Sequence, residues 1–368
     1  MHYSLVVLLP LASLTLPTFV SAQGATCNAT TSCPASAPCC SEFGFCGDTA
    51  EYCLGGCNPL QSHSLDSCLP NPVCKSAVYK FADNSRIQSN ASHYDGNATE
   101  YDFVVDKGTI LNTAANGGEL VMTLTEENGG TRLSTTRYLH YGTVTARMKT
   151  GRWGGVVTAF ITMSNVKDEI DWEFPGNTTL EGQSNYFWQG VITNPRHGDF
   201  SDIPSDSFSN YHDYTIDWQQ DQLRWLIDGK VVRTLKKSDV VEGGVTQYPT
   251  TPSRIQLSLW PAGTSDSSAG TVQWSGGLIN YDDPDYKSAG HFYALVQSVN
   301  VTCNDPVKPS ADITGYVYGA NASESTPSVA LTNVTTNINA AVPMGLQVVG
   351  VRGLLVAVVV AGVVGGLL

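Results

Sequence analysis

Between Asp168 and Gly176 the chain reads Asp-Glu-Ile-Asp-Trp-Glu-Phe-Pro-Gly, an alternation of acids with large apolar residues that constrains its fold more than any other stretch. Successive side chains of a β-strand point to opposite faces. Glu169, Asp171 and Glu173 therefore project to one side and Ile170, Trp172 and Phe174 to the other. Such a strand fits the concave sheet of a sandwich, with its apolar set packed between two sheets and its acids lining an open groove.

The surrounding sequence agrees. From about Ser76 to Tyr318, strand-like runs are separated by Gly, Asn, Asp and Pro turns, with no long helical period. Leu120, Met122 and Leu124 alternate, as do Val144, Ala146 and Met148, and Tyr214, Ile216 and Trp218. Asp228-Gly229 lies between two strand-like runs, Leu223 to Ile227 and Lys230 to Leu235, as a hairpin turn should. The expected fold is all-β, a two-sheet β-jelly-roll sandwich over residues 75–318, preceded by a small disulfide-rich module.

Three carboxylates so close repel one another when all are ionised. The repulsion raises at least one pKa and supplies a proton donor near neutral pH. Retaining glycoside chemistry needs that asymmetry: one carboxylate attacks, the other acts first as acid and then as base, about 5 to 5.5 Å away. Straight-strand geometry separates the Glu169 and Glu173 Cα atoms by roughly 13 Å, so the side chains must lean together across Asp171. We assign Glu169 as nucleophile, Glu173 as acid/base, and Asp171 as the partner that orients Glu169 and tunes its ionisation. The alternatives for this pattern are a solvated acidic strand face or a calcium site.

The ends of the chain carry processing signals. An apolar run from Leu5 to Leu16 followed by Val20-Ser21-Ala22 is expected to be a secretion signal over residues 1–22. The seven Asn-X-Ser/Thr sequons, at Asn28, Asn90, Asn97, Asn177, Asn300, Asn321 and Asn333, fit a glycosylating, oxidising compartment. Ten cysteines, nine of them between Cys27 and Cys74, favour disulfides over free thiols. No Cys/His cluster has zinc spacing, and no metal or cofactor is expected. A formal charge of −13 disfavours nucleic acid and raises no objection to a neutral polysaccharide. Toward the C-terminus, a Ser/Thr/Asn-rich linker (319–339) precedes Asn339-Ala340-Ala341, a spacer and an apolar tail from Gly353 to Leu368. This pattern predicts glycosylphosphatidylinositol (GPI) attachment at Asn339 with removal of 340–368, the alternative being a true tail anchor.

Residues 27–57 contain few aliphatic side chains, so disulfides must hold them together. Here Cys39-Cys40-Ser41-Glu42-Phe43-Gly44-Phe45-Cys46-Gly47, continuing to Tyr52-Cys53, resembles the hevein-type chitin-binding module. The resemblance implies Cys27–Cys40, Cys33–Cys46 and Cys39–Cys53 pairing, with Ser41, Phe43, Phe45 and Tyr52 contacting N-acetylglucosamine. Flat aromatic faces suit pyranose rings, and a hydroxyl suits a polar sugar group. Hevein-like modules often have Trp where this chain has Phe43 and Phe45, and the alternative is a knot that only spaces or protects the next domain. The module and its connector are taken as 23–74. The remaining cysteines can pair as Cys57 with Cys68 and Cys74 with Cys303, although sequence alone does not fix connectivity.

The Glu-Ile-Asp-Trp-Glu core resembles the active-site motif of glycoside hydrolase family 16. The wider chain is similar to the fungal Crh/Utr chitin–glucan transglycosylases in Cys57-Asn58-Pro59-Leu60, Asn185-Tyr186-Phe187, Tyr214 to Trp218, Leu259-Trp260 and Gly270 to Gly277. The resemblance implies a jelly roll with Glu169 as nucleophile and Glu173 as donor, and sugar contacts from Trp260, Thr271, Tyr186 and Arg196. Each of the last three has a plainer reading: Tyr186 as core, Arg196 as a surface charge, Thr271 as a strand residue. The expected activity is transfer of chitin chains onto β-glucan or chitin acceptors, with chitinase-like hydrolysis as a side reaction, by a monomer at the cell membrane and wall. The alternatives are a retaining hydrolase of chitin or β-1,3-glucan, and a wall lectin without activity.

Overall fold

Period-2 alternation recurs along the chain, and it decides which residues meet between the sheets. The computed structural model describes residues 24–115, 117–193, 196–323 and 325–339. The secretion signal expected at 1–22 and the propeptide expected at 340–368 lie outside them.

Among the described residues, two eight-stranded sheets face each other. The first runs Asp199–Asp202, Glu181–Phe187, Glu169–Pro175, Val156–Ser164, Ser253–Pro261, Thr131–Leu139, Phe103–Lys107, Ile87–Gln88. Its pairings are antiparallel except the last. The second runs Lys230–Lys236, Gln222–Ile227, His212–Trp218, Gly142–Lys149, Phe292–Cys303, Leu120–Leu124, Ile110–Asn112, and Ala77–Lys80 also pairs with Phe292–Cys303. The fold is a two-sheet β-jelly roll. All three alternating sets expected from the sequence, on Leu120–Leu124, Gly142–Lys149 and His212–Trp218, are fully buried in the core. Asp228 and Gly229 both take positive φ, 49° and 78°, and close the expected hairpin as a primed turn.

Indole nitrogens tie the sheets together. Trp172 Nε1 donates to the Thr215 carbonyl at 3.1 Å, and Trp225 Nε1 donates to the Asp171 carbonyl at 2.9 Å. Each indole is buried without leaving its one polar atom unpaired, and each bond links the Glu169–Pro175 strand to the opposite sheet.

Two parts depart from the expected organisation. Helices occupy Ala269–Trp274 and Pro284–Ala289, so Thr271 is helical, not a strand residue. Ser268 and Asp283 cap these helices, and six-residue helices are too short to give a periodic signal. The 319–339 stretch is not a free linker. Val329–Thr332 forms a strand beside Gly315–Tyr318, which also pairs with Asn71–Pro72, and Asn337 and Asn339 reach Asp95. Backbone pairing anchors this polar stretch even though it has few apolar side chains to bury.

Five disulfides close among the described residues: Cys27–Cys40, Cys33–Cys46, Cys39–Cys53, Cys57–Cys68 and Cys74–Cys303. The first four hold the module, and the fifth ties its connector to the end of a sheet strand.

Trp225→Phe keeps a large ring but removes the donor to the Asp171 carbonyl. It is expected to lower unfolding free energy by about 1–3 kcal/mol in urea denaturation. Stability equal to wild type would show that this bond does not anchor the strand.

Candidate active site

The phase of the acidic strand is set where it begins. Asp168 is fully buried and its carboxylate accepts four hydrogen bonds: from the backbone N–H groups of Gln189 (3.0 Å), Thr250 (2.9 Å) and Thr251 (3.1 Å), and from the Thr251 hydroxyl (2.7 Å). Burial pushes its pKa up against those donors. With Asp168 held, Glu169, Asp171 and Glu173 emerge on the open face, while Ile170, Trp172 and Phe174 fill the core.

Register then builds the surface around the acids, since directly paired residues share a face. One rung runs Glu173, Ala159, Ser258, Arg132. The next runs Asp171, Ile161, Gln256, Ser134, and the third Glu169, Met163, Arg254, Tyr138. On the other side Gln183, Asn185 and Phe187 pair with Glu173, Asp171 and Glu169.

The three carboxyls are strongly perturbed. Burial raises Glu169 to about 7, opposed by its hydrogen bond with Asp171 and by the Lys167 ammonium. Burial also raises Glu173 to about 8, assisted by the Glu169 charge. Asp171 is pushed furthest, by burial and then by both neighbours, and its Oδ1 has no hydrogen-bond partner among the described residues. The trio titrates as one coupled system. Glu169 ionises most readily because Lys167 and Asp171 favour its anion, and Glu173 keeps its proton longer. An anion beside a retained proton is the division of labour that retaining glycoside chemistry requires.

The other expected residues fall in different places. Trp260 shares the acids' side of the sheet, one rung beyond Glu173, and the ring of Trp274 stacks on it at 6.0 Å and 27°. Thr271 spends its hydroxyl on Ser268 Oγ at 2.9 Å, at the start of the helix that delivers Trp274. Tyr186 does not join the groove. It pairs with Ile170, so it points to the core side, is buried and stacks on His197 at 4.3 Å. Arg196 lies exposed in the loop before Asp199–Asp202.

In the module, Phe43 and Phe45 are 67% and 52% exposed. Ser41 Oγ accepts the Phe45 N–H at 3.3 Å. Tyr52 covers Gly47 so closely that a Cβ there would meet its ring at 2.3 Å.

Sequence reasoning overlooked Asn185, Gln256, Lys167 and Trp274. Counting back by twos from Trp260 reaches Ser258 and Gln256, a signal that was present. Choosing Asn185 over its neighbour Tyr186 needs the register with Asp171, which only pairing supplies.

A jelly roll with a coupled carboxylate trio on its open face defines a protein that acts on glycosidic bonds. Residues 97–276 match glycosyl hydrolases family 16. Crh-like protein 2 of Aspergillus fumigatus is 42% identical over 316 residues, covering 84% of this chain and 70% of that protein. Congo red hypersensitive protein 2 of Saccharomyces cerevisiae is 41% identical over 311 residues, with coverages of 83% and 66%. Crh-like protein UTR2 of Candida albicans is also 41% identical, but the match takes in 76% of this chain and only 59% of that protein. The chain thus spans about two thirds of the length of these relatives. The solved Crh5 transglycosylase in complex with NAG superposes with a TM-score of 0.59 at 29% identity, over 75% of this chain and all of that one. The chain belongs to glycosyl hydrolases family 16, among the Crh-like proteins.

The raised pKa values fix the sign of a stability effect. Below the ordinary carboxylate range these groups are protonated in both states and cost nothing. As pH rises toward about 7–8 the unfolded chain releases protons that the native state retains, and stability falls. Glu173→Gln should raise Tm by a few degrees above about pH 7 and change it little near pH 4, as read by thermal melts across that range. A shift equal at both pH values would contradict the burial of this acid.

Proposed function

We propose that this chain is a retaining cell-wall transglycosylase that cleaves chitin and transfers the released chain to β-glucan or chitin acceptors. The observation that carries the reading is three carboxyl groups on one strand face, all pushed up in pKa by burial, with Asp171 and Lys167 favouring the anion at Glu169. Glu173 gives its proton to the glycosidic oxygen as Glu169 attacks the anomeric carbon, forming a glycosyl ester and freeing the leaving chain. Asp171, its carboxyl pushed well up by burial, hydrogen-bonds Glu169 and disperses its charge. An acceptor hydroxyl then gives its proton to Glu173 and displaces Glu169, restoring both acids.

Water competes for the ester and outnumbers a millimolar acceptor by more than about four decades. A hundredfold dominance of transfer therefore needs roughly 9 kcal/mol of preference for the acceptor. Well-oriented binding can supply about 7 to 11 kcal/mol. The Trp260–Trp274 pair beside the acids supports such binding, since stacked indoles offer a flat apolar platform to a pyranose ring. The chitin donor is supported by the hevein-like module, whose Phe43 and Phe45 are solvent-exposed. The expected anchor residue, Asn339, is exposed.

Chitin oligomers incubated with fluorescent glucan and chitin acceptors test the reading directly. Labelled products extended by N-acetylglucosamine units are expected, and Glu169→Gln should abolish them by at least about a thousandfold. New reducing ends without extended label would make the protein a hydrolase. Retained sugar binding with no turnover in wild type would make it a lectin.

A further inference from the structure

The module is bolted to the carboxylate side of the catalytic sheet. Its Glu42 lies between two guanidinium groups, bonding Arg132 and, at 3.3 Å, Arg254. Both arginines also reach Asp106, each at 3.3 Å, and Lys167 Nζ donates to the Glu42 carbonyl at 2.8 Å. Burial alone would raise the Glu42 pKa, but Arg254, Arg132 and Lys167 hold it below its ordinary value. Next to this cluster the module's backbone passes flat over Arg254. A Cβ on Gly55 would sit 2.7 Å from Nη1, and Gly56, at φ +85°, donates its N–H to the Tyr138 hydroxyl at 3.1 Å. Pulling the module away would break the Glu42 ion pairs and the Lys167 and Gly56 hydrogen bonds together, so it does not swing freely.

This clamp determines where Phe43 stands. Its ring packs against the Arg132 guanidinium, 5.4 Å from the ring centre, yet remains two-thirds exposed. Arg132 belongs to the rung that leads through Ser258 and Ala159 to Glu173. Three strand spacings make about 14 Å, a distance that a short run of pyranose rings covers.

We infer that Phe43 is a remote sugar platform of the catalytic groove itself, so that module and carboxylates hold one and the same N-acetylglucosamine chain. Glu42 is the positioning residue that fixes the platform, and Arg132 supports one face of the ring while the other stays open to sugar. The inference rests on the reading of the groove as chitin-acting and differs from it in making the module part of the substrate path.

The test uses the full secreted chain and a series of soluble chitin oligomers from three to eight units with one labelled acceptor. Phe43→Ala should lower the ratio of kcat/KM for long over short oligomers about three- to tenfold, the loss of one stacking contact, and Phe43→Trp should restore it. Glu42→Ala, its folding checked by thermal melt, should lower the same ratio with Phe43 intact. A Phe43→Ala chain that binds insoluble chitin less well but keeps the wild-type ratio would overturn the inference and make the module an independent binder. Wild type inactive on every oligomer would instead overturn the chitin-acting reading on which the inference stands.

Discussion

The acidic strand is anchored through its own apolar half. Trp172 and Phe174 lie in the inter-sheet core, and the indole N–H groups of Trp172 and Trp225 bond carbonyls across the sheets, one of them on Asp171 itself. Three mutually repelling acids would otherwise splay or distort the strand that carries them. Burying large aromatic area on one face and satisfying each indole donor holds the other face in a costly electrostatic state. Asp168 completes the anchorage by pinning the strand's first residue through four hydrogen bonds.

That anchored strain is what makes the chemistry available. Free carboxylates would all be ionised at neutral pH and none could donate a proton. Burial lifts all three, neighbouring charge adds to the rise at Asp171 and Glu173, and the Asp171 hydrogen bond, together with Lys167, favours the anion at Glu169. Lys167 is itself held at a positive φ of 70° in the tight turn before the strand, a conformation uncommon for a residue with a side chain. Its amine reaches the Glu42 carbonyl, so one side chain links the module, the turn and Glu169.

Much of this was legible in residue order. Alternation at Glu169 to Phe174 places acids and aromatics on opposite faces because strand geometry has a period of two, whatever the rest of the chain does. The same logic identified the core sets around Met122, Ala146 and Ile216 and the Asp228-Gly229 hairpin. Cysteine density in the first quarter of the chain marked a unit too poor in aliphatic residues to fold by burial alone.

Tertiary structure decided what depends on register and on distant partners. Tyr186 and Asn185 are adjacent in the chain and equally plausible as sugar ligands. Pairing with Ile170 sends the tyrosine into the core, and pairing with Asp171 brings the asparagine to the acids. Thr271 became a helix residue because a local cap at Ser268 outweighed the surrounding β pattern. The Glu42 cluster joins residues up to 212 positions apart, and nothing in their spacing announces it. The sequence by itself determined which residues alternate and which half-cystines abound, since those follow from local geometry and composition. Only the folded chain decided which faces meet, because strand partners and ion pairs are chosen by packing over long separations.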